Sequence, residues 1–261
     1  MAIPPGQSEA NLTTAVQSLA SDVYGFQEVD HFLPRSGSRP QMRDIAEALG
    51  TRHWAMGPSV IGTPGESWRK KHSHEPEIIT GDSTHAELMH ESYGIGIVSK
   101  IPVRSWHRLD LGNSPVGLPL IVPGDETGKG KPRFIYVKDE PRLALAAVLE
   151  NGWTVVNTHL SFVPILNLVQ LKRVKKWALS LAQETNTRPL ILGDLNLPKN
   201  LPTTFSSWKS LVNANTYPSW GAKIQFDYLL VPEAPAGGFQ GLPVSQTGIS
   251  DHLPLSAEIA N

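Results

Sequence analysis

The chain contains no cysteine, which excludes disulfides and thiolate metal sites and leaves the compartment open. It also lacks a long apolar run. No stretch approaches the roughly 20 residues that a membrane-spanning helix needs. The opening stretch MAIPPGQSEANL has neither the basic nor the apolar region of a signal peptide. The expectation is a soluble, cytoplasmic protein. A basic excess is missing too: 23 Lys and Arg stand against 24 Asp and Glu, for a formal net charge of −1. Proteins that hold duplex DNA mainly by its phosphates show such an excess, because counterion release drives the binding. Its absence argues against a tight, non-specific nucleic-acid binder. There is no internal repeat and no low-complexity tract.

What remains is an ordinary globular composition. At 261 residues and 40% hydrophobic content, the chain has enough apolar mass for one sizeable core. A single domain over 1–261 is expected. SEANLTTAVQSLAS reads as a short amphipathic helix, with Leu12, Val16, Leu19 and Ala20 at helical spacing. DVYGFQEVD reads as a buried strand. QMRDIAEALG is a helix with Met42, Ile45, Ala46 and Leu49 on one face and Gly50 as its stop. From about 56 to 92 the chain turns rich in Gly, Pro, Ser, His and charge, and reads as a long surface excursion. YGIGIVSKIPV returns to strand character. A second irregular region spans Leu111 to Lys131. RLALAAVLE and WTVVNTHLS are strands joined by an Asn-Gly turn, a strong hairpin signal. The long helix ILNLVQLKRVKKWALSLAQET points Leu166, Val169, Leu171, Val174 and Leu181 inward and Lys172, Arg173, Lys175 and Lys176 mostly outward. RPLILGDLN, IQFDYLLV and HLPLSAEI complete the strands. Strands and helices mix without strict alternation, so sheets covered by helices are expected.

Several apolar strands end or begin on chemistry-bearing residues. These are Glu28 in GFQEVD, Asn157 and His159 in VVNTHLS, Asp194 and Asn196 in LILGDLN, and Asp251 and His252 in SDHLPL. Asp227 lies in QFDYLL. A buried charge is costly unless paired or bound to metal. One such residue is ordinarily a capped loop acid, but four strand ends together imply a shared polar pocket. The residue types suit one reaction. Carboxylates such as Glu28 and Asp251 suit a hard divalent ion. Asn196 and imidazole donors suit phosphate oxygens. Asp194 and His252 are candidate bases for an attacking water, and Asp227 is the natural partner to orient His252. The set describes metal-assisted hydrolysis of a phosphoester.

The ordered series QEVD, YGIGIVSK, NTHL, GDLN, FDYLL and SDHLPL resembles the endonuclease/exonuclease/phosphatase superfamily, the pancreatic-deoxyribonuclease-like fold. The resemblance runs from about residue 12 to the end. It implies an α/β (α+β) four-layer sandwich of two packed, mostly antiparallel sheets flanked by helices. It also implies Mg2+, with Mn2+ as an alternative, held by Glu28 and Asp251. His159 would contact the scissile phosphate and Asp194 would position or deprotonate the water. Asn196 would support the phosphate, and His252, oriented by Asp227, would be general base or transition-state stabiliser. Arg142, in DEPRLAL, falls where many members carry a phosphate-facing arginine, and Asn157 is placed with it on the substrate-phosphate side. One departure stands out. The family opens with a strand ending in Asn, like WNV, whereas here MAIPPGQSE leads almost directly into the first helix. Asn11 reads as an N-cap. The expected first strand is therefore missing, as from a start placed too far downstream, and one sheet should carry an exposed edge.

The remaining candidates are weaker. His72 and His74 in RKKHSHEPE have alternating spacing, but no second ligand pair at zinc spacing follows. Arg69 to Lys71 could meet a phosphate backbone or headgroup, with a solvated charged loop favoured. His85 and His90 read as surface positions. Trp68 and Trp220 are placed at the pocket rim. The expected partner is a phosphoester substrate, whether small molecule, lipid headgroup or nucleic acid, acted on by a monomer without a protein partner. Alternatives are a catalytically silent binding protein of the same fold, a sphingomyelinase-like hydrolase at membrane surfaces, and a nuclease.

Overall fold

In chain order the strands are β1 (Val23–His31), β2 (His53–Thr63), β3 (Ser67–Lys70), β4 (Ile79–Thr80), β5 (Ser92–Ser99), β6 (Val103–Gly112), β7 (Leu118–Val122) and β8 (Arg133–Val137). They continue with β9 (Arg142–Leu149), β10 (Trp153–His159), β11 (Arg188–Asp194), β12 (Lys209–Ser210), β13 (Asp227–Val231), β14 (Phe239–Leu242) and β15 (Ser256–Ile259). The helices are α1 (Leu12–Gln17), α2 (Gln41–Ala48) and α3 (Leu166–Thr185). This computed structural model describes residues 12–84, 91–122, 131, 133–242 and 246–260.

Two sheets make the middle of the molecule. The first has the order β1-β5-β2-β3, with β4 also on β2, and the second the order β12-β13-β11-β10-β9-β6. β10 and β11 pair in parallel; their other neighbours are antiparallel. Ala55, Ile95 and Ile97 of the first sheet pack on Leu143, Leu145, Val155, Leu192 and Leu229 of the second. Each outer face is closed by helix. Val16, Met42, Ile45 and Ala46 of α1 and α2 cover Trp54, Met56 and Val98. Leu171, Val174, Ala178 and Leu181 of α3 cover Ala144, Ala146, Val156 and Ile191. The result is the four-layer α/β sandwich that the family resemblance implies. The run LALAAVL explains why β9 sits in the middle: its eight residues are all buried, because alternate side chains feed two different cores.

Several local expectations are corrected. Much of the stretch from Met56 to Ser92 is sheet and not excursion: β2 runs on to Thr63 and turns back as β3. Met56 and Val60 are fully buried, and they lie within the residues whose Gly and Pro neighbours suggested a loop. Val169 is half exposed, since the α3 face that meets the sheet is set by Leu171, Val174, Ala178 and Leu181. β13 starts at Asp227 and β15 at Ser256, so Asp251–Pro254 is loop. The second irregular region contains β7, which pairs with β8 as a separate hairpin.

Asn11, His85 and His90 lie outside the described residues, as does the chain ahead of α1. Within the described residues, β1 is the end strand of its sheet, and β15 pairs with β14 alone.

Candidate active site

Three neighbouring strands deliver the centre in register. His159, the last residue of β10, is paired with Asp194, the last of β11. Asp194 is in turn paired with Asp227, the first of β13. Residues directly opposite on adjacent strands present their side chains to the same face. The parallel pair β10–β11 therefore puts imidazole and carboxylate side by side, and the antiparallel β13 adds the second acid. Gly193 makes this possible: its φ is +130°, and a Cβ there would run into the backbone oxygen of Thr158.

His159 Nε2 lies 3.5 Å from Asp194 Oδ2, and His252 Nε2 lies 3.9 Å from the same oxygen. His252 Nδ1 hydrogen-bonds to Asp227 Oδ2 at 2.7 Å. Asp194 is thus flanked by two imidazoles, one of them anchored on a second carboxylate. The other Asp194 oxygen accepts the backbone N–H of Asn196 at 2.8 Å. Asn196 also donates from Nδ2 to Leu160 at 2.9 Å, tying the loops after β10 and β11 together. The rings of Tyr217 and Phe226 stand 5.0 and 6.4 Å from that of His252.

The surroundings set the protonation states. Burial and the nearby Arg142 guanidinium push His159 down to about 3, so it is neutral. Burial and the Asp227 carboxylate raise Asp194 well above the ordinary carboxylate range. Burial opposes charge on His252, but its hydrogen bond to Asp227, with Asp194 and Asp251 close by, raises it to about 9. Asp251 is raised by burial and by the Glu28 charge, against a lowering pull from His252.

Glu28 reaches the pocket by a backbone irregularity. The β1–β5 register slips between Phe26 and Val29, and Glu28 has φ +56°. A bulge of this kind re-aims a side chain out of the strand's alternation. Arg142 opens β9, buried, with Nη1 3.2 Å from Glu140 Oε1. Its Nε has no hydrogen-bond partner among the described residues. Asp251 is held by its backbone, whose oxygen accepts the Ser219 N–H at 2.6 Å. A cavity of about 730 Å³ lies between β1 and the 249–259 segment, and Glu28, His159, Asp194, Asp227, Asp251 and His252 share its wall.

Asn157 departs from expectation. It is fully buried. Nδ2 donates to the backbone oxygens of Phe26 and Gly96 at 2.9 and 2.8 Å, and Oδ1 accepts from Gln27 at 2.6 Å. Its amide clamps the two sheets together beneath the pocket instead of meeting a substrate phosphate. Trp68 packs against Leu33, Val60 and Tyr93, and Trp220 is half exposed beside Ser219. His72 and His74 are exposed, with rings stacked 5.6 Å apart. Sequence reasoning missed the acids around Arg142: Glu140 at its guanidinium and the buried Asp139. The signal was legible as DEPR, two acids just ahead of a strand-opening arginine. It missed the aromatic walls of His252 because Tyr217 and Phe226 meet it only through tertiary packing.

Comparison with known proteins agrees with this fold. No curated protein matches the chain in sequence. Among solved structures, mannosyl-6-phosphatase Bt3783 of Bacteroides thetaiotaomicron VPI-5482 superposes with a TM-score of 0.57 at 13% identity, covering 96% of this chain and 89% of its own. The human Nocturnin catalytic domain with bound sulfate gives 0.53 at 13% identity, over 97% and 88%. Truncated Caenorhabditis elegans TDP2 gives 0.53 at 14% identity, over 94% and 87%. At such identities the likeness establishes the fold. A model of the Endonuclease/Exonuclease/phosphatase family matches residues 5–252, and the chain belongs to that family.

Proposed function

We propose that the protein is a divalent-metal-dependent phosphoesterase, hydrolysing a phosphodiester or phosphomonoester by in-line attack of water. The observation that carries this reading is the registered row His159, Asp194 and Asp227, with His252 bound to its end. The printed activity of one structural neighbour, a mannosyl-6-phosphatase, is consistent with the class.

The donor set fits a hard cation. Glu28, Asp194, Asp227 and Asp251 share one pocket wall, and the Glu28 charge raises both Asp194 and Asp251. Repulsion among clustered carboxylates is what a magnesium or manganese ion relieves. Glu28 and Asp251 are the residues that would hold it. Asp194, Asp227 and His252 also bring ligand atoms within 4.8 Å of one another. There, however, Asp227 is engaged by His252, and an imidazole that keeps its second proton at neutral pH has no lone pair for a metal. When bound, the ion supplies positive charge to the phosphate oxygens.

The chain's own residues divide the remaining work. Asp194 Oδ2, free of the Asn196 N–H and raised in basicity, takes a proton from the attacking water. His252, charged and fixed by Asp227, directs its Nε2–H toward developing negative charge on the phosphate. His159 adds a neutral donor, and Arg142 brings a buried guanidinium held in place by Asp139 and Glu140. Turnover of bis-p-nitrophenyl phosphate with magnesium, compared with EDTA and with Glu28→Ala and His252→Ala, tests this. A metal-dependent rate lost in both variants is expected. A rate indifferent to EDTA, or kept in both variants, overturns the proposal.

A further inference from the structure

β1 and β5 keep regular register up to the pair Phe26 and Gly96, and resume it at Val29 and Gly94. Gln27 and Glu28 therefore stand opposite Ile95 alone, and this bulge is what turns Glu28 into the pocket. A bulge breaks the ladder locally, and buried backbone groups beside it need other partners. One side chain from the facing sheet supplies them. Asn157 Nδ2 donates to Phe26 O at 2.9 Å and to Gly96 O at 2.8 Å, so it bonds both members of the last regular pair. Its Oδ1 accepts Gln27 Nε2 at 2.6 Å, from the first bulged residue. Both N–H groups of this fully buried amide are thus committed to the edge of the bulge.

The same amide belongs to the other half of the site. Residues i and i+2 of a strand share a face, so Asn157 and His159 of β10 point between the sheets together. Their register partners on β11 are Leu192 and Asp194. Asn157 therefore lies one step beneath the His159–Asp194 pair. Glycines on two sides leave it room. A Cβ on Gly193, next to Asp194, would stand 3.0 Å from Asn157 Oδ1, and one on Gly25 would stand 3.1 Å from Asn157 Cγ.

An amide in this place fixes a distance. It ties the backbone that aims Glu28, in the first sheet, to the strand that carries His159, in the second. Glu28, His159 and Asp194 line the cavity, whereas Asn157 does not. A partner that orients a ligand without touching the ion governs metal affinity by about 10–100-fold.

We infer that Asn157 is a positioning residue for the metal site. It holds the β1 bulge so that Glu28 keeps a set reach to the His159–Asp194 row, and divalent-ion affinity depends on an amide that touches neither ion nor substrate. The clamp stands by itself; its effect on an ion rests on the metal-dependent reading. The test is Mn2+ affinity, read from the EPR signal of the free ion, for the wild type, Asn157→Ala, Gln27→Met and Val156→Ala, each well below its Tm. Val156 is the next residue of β10 but packs in the core under α3, so truncating it loosens the same strand without touching the bulge. The Mn2+ Kd is expected to rise about 10–100-fold in Asn157→Ala and less in Gln27→Met. It should stay at the wild-type value in Val156→Ala, although Tm falls there too. Adding Gln27→Met to Asn157→Ala should change little more, since both remove the same bond. Gln27→Met, on the partly exposed partner, decides the case if Asn157→Ala does not fold. An Asn157→Ala that loses Tm but binds Mn2+ like wild type overturns the positioning role and leaves the phosphoesterase reading intact. An equal loss of affinity in Val156→Ala also overturns it, because affinity would then track stability. Wild type that binds no Mn2+ refutes the metal-dependent reading, and the positioning role with it.

Discussion

Whether His252 gives or takes a proton is decided by its neighbours. Its Nδ1 sits 2.7 Å from Asp227, and the folded protein holds its proton to about pH 9, above the roughly 6.5 of an unperturbed imidazole. Replacing Asp227 with Asn removes the charge and keeps the shape. The His252 titration, followed by NMR, should then move down toward the ordinary value, and the alkaline limb of kcat should move with it. An unmoved titration in Asp227→Asn sinks the pairing. The sign for stability follows from the same shift. A folded pKa above the unfolded one contributes stability in full below about 6.5, lost as pH rises through about 9. Asp194 carries the opposite chemistry with the same sign. Its raised carboxyl favours the neutral folded form, so its ionisation near and above neutrality costs stability while supplying the base. Asp194→Asn is therefore expected to raise Tm at pH 7 by a few degrees, at about 2–4 °C per kcal/mol for a chain of this size. It should lower kcat by roughly 10²–10⁴. Melting curves and rates on the same sample check both, and a lower Tm would contradict the assigned cost.

At the scale of elements, the site depends on where three strands stop and one strand buckles. The stops were legible. NTHL, GDLN and FDYLL each end or begin an apolar run, and the register of β10, β11 and β13 confirms that those positions are neighbours. The buckle was not. Nothing in VYGFQEVDH says that the strand slips between Phe26 and Val29, because a bulge is fixed by pairing with β5 and not by local propensity. Asn157 was misread for a related reason. A polar residue at a strand end looks the same in sequence whether it faces a pocket or spans two sheets. Its partners, the backbone oxygens of Phe26 and Gly96, are remote in the chain. The excursion failed because Gly57, Pro58, Gly62 and Pro64 resemble loop composition, whereas β2 uses Gly57 to let Leu143 of the facing sheet approach. Gly193 holds β10 and β11 at close approach beside Asp194. Alanine there must adopt φ near +130° and meet the Thr158 oxygen. The conformation alone costs about 1–3 kcal/mol, so Gly193→Ala should lose several degrees of Tm. It should also pull Asp194 out of line with His159, so kcat falls further than Tm predicts. A variant as stable and active as wild type would show that the β10–β11 approach is looser than described.

At the scale of the molecule, the four layers gather carboxylates from both sheets at one wall. Glu28 comes from the first sheet, Asp194 and Asp227 from the second, and Asp251 from the loop ahead of β15. Their mutual repulsion is a cost of the fold that a divalent ion offsets, so metal binding and stability are linked. At a hundredfold excess over Kd, a ligand that binds only the folded state adds about 2.7 kcal/mol, or roughly 5–10 °C of Tm for a chain of this length. Magnesium is therefore expected to raise Tm in a concentration-dependent way, and Glu28→Gln and Asp251→Asn should each flatten that response. Glu28 is held down to about 2 in spite of its burial, so Glu28→Gln should gain nothing in EDTA. Asp251 is raised by burial, so Asp251→Asn should melt higher than wild type in EDTA and lower in saturating magnesium. That crossover separates a metal site from a merely structural pair of acids, for which the curves would never cross. A wild-type Tm indifferent to magnesium would remove the metal site altogether, whereas a shift retained in Glu28→Gln would remove Glu28 from the metal set and leave the Asp194, Asp227 and His252 group as the place to look.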